Sequence, residues 1–227
     1  MAKAGNTPQL INPKSVSDMS AEELWLRYGK LIVSALILVV VAVGGYFVYQ
    51  YQFRAPEEAK AAEAMWKAEE YFRQDSASLA LNGDAANAGF LKIISRHGNT
   101  KAGKLAKFYA ASAYMQLGDF NNAIKYLKDF STSDKMISVR AAGLLGDAYA
   151  ETGKTEEAVQ QYRKAGTMYA EDAQNSSEYL FRAGLLYQTL GKNKEAVEMF
   201  TIIKDKYAST ERGVEIDKYL ARLGSVQ

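Results

Sequence analysis

The chain has 227 residues, a formal net charge of +2 and no cysteine. This length suits one domain with an appendage, and the missing thiols exclude disulfides, thiolate zinc sites and cysteine nucleophiles together. Residues 1–56 carry five basic and three acidic side chains and the remainder 23 of each, a balance that argues against a nucleic-acid footprint.

The first predicted element is an apolar helix. Between Lys30 and Arg54 lie 23 uncharged residues, Leu31 to Phe53, opening with LIVSALILVVVAVGG. As helix they span about 34 Å, enough for a hydrocarbon core of about 30 Å. Trp25 and Tyr28 flank one end and Tyr46, Tyr49 and Tyr51 the other, as in interfacial aromatic belts. The box Ser20-Ala21-Glu22-Glu23 is expected to start this helix, which can run to Pro56. A cleaved signal peptide is the rival reading, but the stretch before Leu31 is long for its charged region. The expectation is a single-pass anchor over 31–53. The short tail, with Lys3, Lys14, Arg27 and Lys30, is expected to stay cytoplasmic. Residues 57–227 then lie across the membrane, which in a bacterium is the periplasm.

All three prolines (Pro8, Pro13 and Pro56) precede residue 57, so the rest of the chain is free to form nearly continuous helix. From Glu57 to about Gln74 an Ala- and Glu-rich helix is expected, with Trp66 and Phe72 toward a core. Asn82-Gly83-Asp84 breaks it, and a second helix is expected over about 85–96, carrying Phe90, Leu91, Ile93 and Ile94. An insertion around Asp75 to Leu81 accompanies this unit, residues 57–100, which reads as a degenerate first repeat.

Residues 101–208 hold three clear repeats. Ala111, Tyr114, Gly118 and Ala123 are matched by Gly146, Tyr149, Gly153 and Ala158, and again by Gly184, Tyr187, Gly191 and Ala196, with the same internal spacing each time. Periods of roughly 34 residues signal stacked helical hairpins. The first small residue and the later Ala let two antiparallel helices approach closely. The Tyr fills the space between them, and the Gly ends the first helix in a left-handed conformation. Four residues after the Ala stand Leu127, Tyr162 and Phe200. Hairpins are expected at about 101–131, 136–170 and 176–206, followed by a capping helix and tail over 209–227, where charges mix with Val214, Ile216, Tyr219 and Leu223. The fold class is all-α: one transmembrane helix, then a solenoid of helical hairpins.

These spacings resemble the tetratricopeptide repeat (TPR) family. The family's early Trp is replaced by Lys107, Ala142 and Leu180, and its terminal Pro by Lys135, Ala170 and Ala208. The resemblance implies that the first helix of each hairpin lines a concave, partner-binding face. Its ligand-contact positions fall on Leu105, Phe108, Ser112, Met115 and Gln116; on Arg140, Gly143, Asp147 and Glu151; and on Glu178, Phe181, Leu185, Gln188 and Thr189. The family's Lys/Asn carboxylate clamp is replaced by Phe108, Gly143 and Phe181 with Ser112, Asp147 and Leu185, which implies an apolar to mildly polar groove for an extended segment or partner helix. Phe108, Met115 and Phe181 are its expected anchors.

No chemistry is expected. His97 is the only histidine and closes a helix before Gly98. The pairs Glu69-Glu70 and Glu156-Glu157 read as solvated, and no phosphate-binding glycine loop occurs. No cofactor, metal, nucleic-acid or small-molecule site is expected. The layout as a whole resembles the ancillary SecYEG translocon subunits, and residues 80–84, 89–94 and 100–106 resemble the Bacteroidota branch of such proteins. That resemblance implies a non-catalytic adaptor whose partners are translocon subunits, periplasmic chaperones or client polypeptides. A structural subunit of another envelope or secretion complex and a client-binding chaperone are the alternatives.

Overall fold

The computed structural model describes residues 19–224; the tail before Met19 and the last three residues, on which the sequence reading also touches, lie outside them. The described chain is 80% helix and divides into two units between Ala55 and Pro56.

In the first unit, helix α1 (Ala21–Tyr49) opens on the Ser20 capping box. The Ser20 hydroxyl accepts from the Glu23 N–H, and the Glu23 carboxylate accepts from the Ser20 N–H at 3.1 Å. Two backbone donors that the helix start leaves unpaired are thereby satisfied. Gly29 is buried only because the Trp25 ring lies across it. From Leu31 onward the apolar side chains are uncovered, Leu36 at 59% and Val40 at 69% exposure. The helix is long and apolar enough to cross a membrane by length and composition. The Ser34 hydroxyl donates to the Lys30 carbonyl at 2.6 Å, the local solution available to a hydroxyl among apolar neighbours. Regular α-helix ends at Tyr49, and Gln50–Arg54 form a π-helical turn.

The second unit starts at Pro56, within α2 (Ala55–Arg73). Its buried stripe is Ala61, Met65 and Ala68, spaced four and three residues apart as one helical face requires. Phe72 continues the stripe, edge-on to Phe90 and Tyr109. Trp66 departs from expectation. It is 61% exposed, because the residue after Met65 lies about 100° round the helix from the stripe.

Residues 75–89 also differ from expectation. Residues 77–82 form a short helix, α3 (Ala77–Asn82), where the sequence suggests an insertion. The second helix begins only at α4 (Phe90–His97). Asp84 holds residues 85–88 out of helix: its carboxylate accepts from the N–H groups of Ala86 and Asn87 at 2.8 and 2.6 Å, a local alternative to helical bonding. Gly83, at φ +76°, makes the preceding turn.

Three hairpins follow: α5 (Lys101–Gln116) with α6 (Phe120–Lys128), α7 (Lys135–Glu151) with α8 (Thr155–Thr167), and α9 (Ala173–Thr189) with α10 (Asn193–Lys206). Helix α11 (Glu211–Arg222) closes the array. From α4 onward each helix packs mainly on its neighbours in sequence, so the core runs as successive clusters, as solenoids require. One cluster joins α2–α5 around Phe90 and Ile93, one α5–α7 around Ala111 and Leu145, and one α8–α11 around Phe200. Helix α11 buries Ile216 and Leu220 there and leaves Val214 in solvent.

Candidate partner-binding surface

The first helices of the hairpins are all ended by one repeated turn. Gly118, Gly153 and Gly191 have φ of +73°, +72° and +70°. In each, the glycine N–H bonds a carbonyl three residues back, and the next N–H bonds the carbonyl of the repeat Tyr: Asp119 to Tyr114, Lys154 to Tyr149 and Lys192 to Tyr187, at 2.8–2.9 Å. This double closure satisfies two carbonyls of the ending helix and fixes where the second helix starts. The later Ala residues, Ala123, Ala158 and Ala196, are fully buried.

On the first-helix face of α2 and α5, Ala62, Met65, Trp66, Glu69, Lys101, Ala102 and Leu105 line a cleft of about 370 Å³. Phe108, half-buried, packs on Tyr109 and Phe130 with ring centroids 5.8 and 5.7 Å apart. The Ser112 hydroxyl donates to the Phe108 carbonyl at 3.0 Å. Met115 is half-buried and Gln116 exposed.

Farther along, on α7, α9 and α11, the face is polar and paired. Arg182 donates to Asp147 from Nη1 and to Glu178 from Nε, both at 2.7 Å. Arg212 donates to the other Glu178 oxygen at 2.6 Å, and the Tyr162 hydroxyl donates to Asp147 at 2.7 Å. Burial would raise the Glu178 pKa, but bonds from Arg212 and Arg182 outweigh it and hold the carboxyl below its ordinary range. For Arg182 burial again opposes charge, yet Glu178 and Asp147 keep its pKa above the usual value. Burial, then Asp147, pushes the Tyr162 phenol upward.

Among the other family-mapped positions, Arg140 and Glu151 are exposed, Leu185 and Thr189 likewise, and Gln188 is half-buried. Gly143 lies under the Tyr179 ring, which occupies the space of any side chain there. Phe181 is 5% exposed, enclosed by Phe200, an edge-on Tyr219 at 4.8 Å and the Arg212 guanidinium at 4.4 Å. It is a core residue under the closing helix, so a partner reaches Arg212 and Tyr219 before it. Arg182, Arg212 and Trp66 are not among the sequence candidates for this face. The signal for the arginines is their spacing: Asp147 to Arg182 is 35 residues and Glu178 to Arg212 is 34, one repeat each, so opposite charges meet across adjacent hairpins.

The family model for the tetratricopeptide repeat-like domain matches residues 22–141, just over half of the chain. The chain belongs to this family. Two tetratricopeptide repeat models match residues 139–171 and 178–210 of this TPR protein. The first match takes in α1, so the apolar helix lies within the region the family model covers. Among solved structures it is similar to the MamA protein, with 19% identity and a TM-score of 0.52 over 72% of this chain and 76% of that one. It is also similar to the TPR-like repeats of a putative kinesin light chain from Podosopora anserina, with 16% identity and a TM-score of 0.52 over 73% and 85%. Identities this low speak for the fold alone. No curated protein matches the chain by sequence. The TPR fold is typically a non-catalytic protein-interaction scaffold, and among the described residues no group of three or more His, Asp or Glu could hold a metal ion.

Proposed function

We propose that this TPR protein is a membrane-anchored, non-catalytic adaptor. Helix α1 holds it at the cell envelope, with the repeats on the periplasmic side of a bacterial inner membrane, and the first-helix face receives a partner protein. The observation that carries this reading is Trp66, a large aromatic 61% exposed at the lip of an apolar cleft that includes Leu105. Folding does not require an uncovered Trp, whereas hot spots in protein interfaces are enriched in it. Arg140, Leu185, Gln116 and Glu151 offer further contacts along the same face. The partner class is an extended segment or an amphipathic helix with apolar anchors. Anchoring raises the effective concentration of the site beside other membrane complexes, so modest affinity suffices.

The layout of apolar helix followed by repeats supports a place at the Sec translocon, passing exported chains to periplasmic chaperones. Photocrosslinking in native membranes from positions 66, 140 and 185 tests this. Crosslinks to translocon subunits or a chaperone are expected. Crosslinks spread over many secreted proteins would instead identify a client-binding chaperone. A single unrelated complex would identify a structural subunit of another envelope machine.

A further inference from the structure

The first hairpin and its upstream partner are electrically polar along their helix axes. At one end, the C-termini of α4 and α6 meet the N-terminus of α5. The Thr100 N–H and hydroxyl both donate to the His97 carbonyl, and Lys107 on α5 is tied to Asp129 just beyond α6 at 2.6 Å. This end gathers Arg96, Lys101, Lys104, Lys107 and Lys128. At the opposite end Asp119 precedes α6 and Asp84 precedes α4, with Lys92 in the first turn of α4. Glu58, Glu57 and Asp129 reach the basic end, and each already faces an internal group; Glu69 lines the same cleft as Lys101. Glu58 accepts the Lys101 N–H at 2.9 Å, Glu57 faces the His97 ring at 3.8 Å, and Asp129 binds Lys107. Arg96, Lys101, Lys104 and Lys128 are exposed and form no side-chain ion pair among the described residues.

The helix dipole favours Arg96 and Lys128, in the last turns of α4 and α6, but it does not account for Lys101 and Lys104. The first turn of α5 has no acidic residue, and lysines there oppose the positive end of the helix dipole. The edge also has a fixed chain address. Glu57 and Glu58, which touch it, follow Phe53 by four and five residues, a tether of at most about 18 Å. We infer that Arg96, Lys101, Lys104 and Lys128 form a contact surface for anionic lipid headgroups, docking the first repeat on the bilayer. This rests on the anchored reading above. Docking limits the directions in which the partner face can point.

The test uses the full chain in vesicles of phosphatidylcholine, with and without phosphatidylglycerol. Because the chain has no cysteine, a single Ser131→Cys beside Lys128 accepts a fluorophore, and Asn121→Cys at the other end of α6 serves as control. Quenching by headgroup-attached quencher is expected to rise with phosphatidylglycerol at 131 but not at 121, and to fall at high salt. Each basic residue near an anionic surface is expected to be worth roughly a fivefold change, so Arg96→Gln, Lys104→Gln and Lys128→Gln together should shift the docked-to-free ratio by about 100-fold. Equal quenching in both vesicle types, which an acidic protein partner for this edge would also produce, overturns the inference. Alkaline extraction of the same samples reports separately on the anchor. Protein that resists extraction without lipid-dependent quenching removes only the docking proposal. Protein released by alkali removes the anchored reading, and docking with it.

Discussion

Tyr162 fills the space beside Gly146 so tightly that a methyl on that glycine would lie 2.6 Å from the ring's Cδ1. Phe200 crowds Gly184 in the same way, more closely still. In the first hairpin the equivalent pair is Ala111 with Leu127, both buried in one cluster. The two positions stand equally far apart in sequence in every hairpin. The small residue is glycine where its partner is aromatic and alanine where it is leucine, so the two positions share one fixed volume. Gly184→Ala should therefore destabilise. Alanine gains about 1 kcal/mol of helix propensity, but overpacking a filled core costs about 1–3 kcal/mol, and Phe200 is fully buried against Phe181 and Tyr219. The double variant Gly184→Ala with Phe200→Leu copies the first hairpin and should recover much of the loss. Denaturant unfolding checks this; a double variant no more stable than the single one would contradict the shared-volume account.

The Asp147–Arg182–Glu178–Arg212 chain predicts an acid-sensitive contribution to stability. Burial would raise the Glu178 pKa, but two guanidiniums outweigh it, so the folded-state value is depressed. Its contribution is complete above the unfolded-state value of about 4.3 and is lost as pH falls through the lower folded value. Glu178→Gln should cost about 1–2 kcal/mol at neutral pH. The gap between variant and wild type should then close in acid. Thermal melts across that range measure the gap, and one that stays constant with pH would assign the loss to packing alone.

Gly153 isolates a backbone effect. Its φ is +72° and nothing lies within 4 Å of where a Cβ would be, so substitution meets strain without collision. Gly153→Ala should cost about 1 kcal/mol, which for a domain of this size lowers the melting temperature by about 2–4 °C. Gly153→Asn should cost less, because asparagine tolerates the left-handed region. Calorimetry that ranks Asn below Ala would overturn this reading of the turn.

The regular repeats are legible in the sequence because each depends on steric rules local to one hairpin. Gly118, Gly153 and Gly191 mark a backbone conformation that few other residues adopt, and Tyr114, Tyr149 and Tyr187 supply the carbonyls that close it. The start of the array is less legible. Asp84 competes with helix through its side chain. Composition alone puts Trp66 in the core, whereas the spacing of Ala61, Met65 and Ala68 turns it outward. A second motif is visible only in the structure. His97 to Gly103 and Tyr207 to Gly213 make the same connector: the Thr hydroxyl donates back to the earlier carbonyl and accepts the glycine N–H. In both, a Cβ on the glycine would strike that carbonyl. The partner face is the least legible, because its ion pairs join residues a full repeat apart and depend on how hairpins stack.

Trp66 separates binding from folding. The residue is 61% exposed, and its cation contact with Lys67 at 5.7 Å lies at the surface, whereas Met65 beside it is 4% exposed. Trp66→Ala should therefore change stability by no more than about 0.5 kcal/mol, while Met65→Ala should cost about 2–5 kcal/mol by leaving a cavity. Partner capture should respond in the opposite order. An interface anchor in a desolvated pocket contributes at least about 2 kcal/mol, so Trp66→Ala should weaken binding by roughly 30-fold or more. Once crosslinking has supplied a partner, titration calorimetry with both variants decides the point. A Trp66→Ala protein that folds and binds like wild type would place the partner elsewhere on the array.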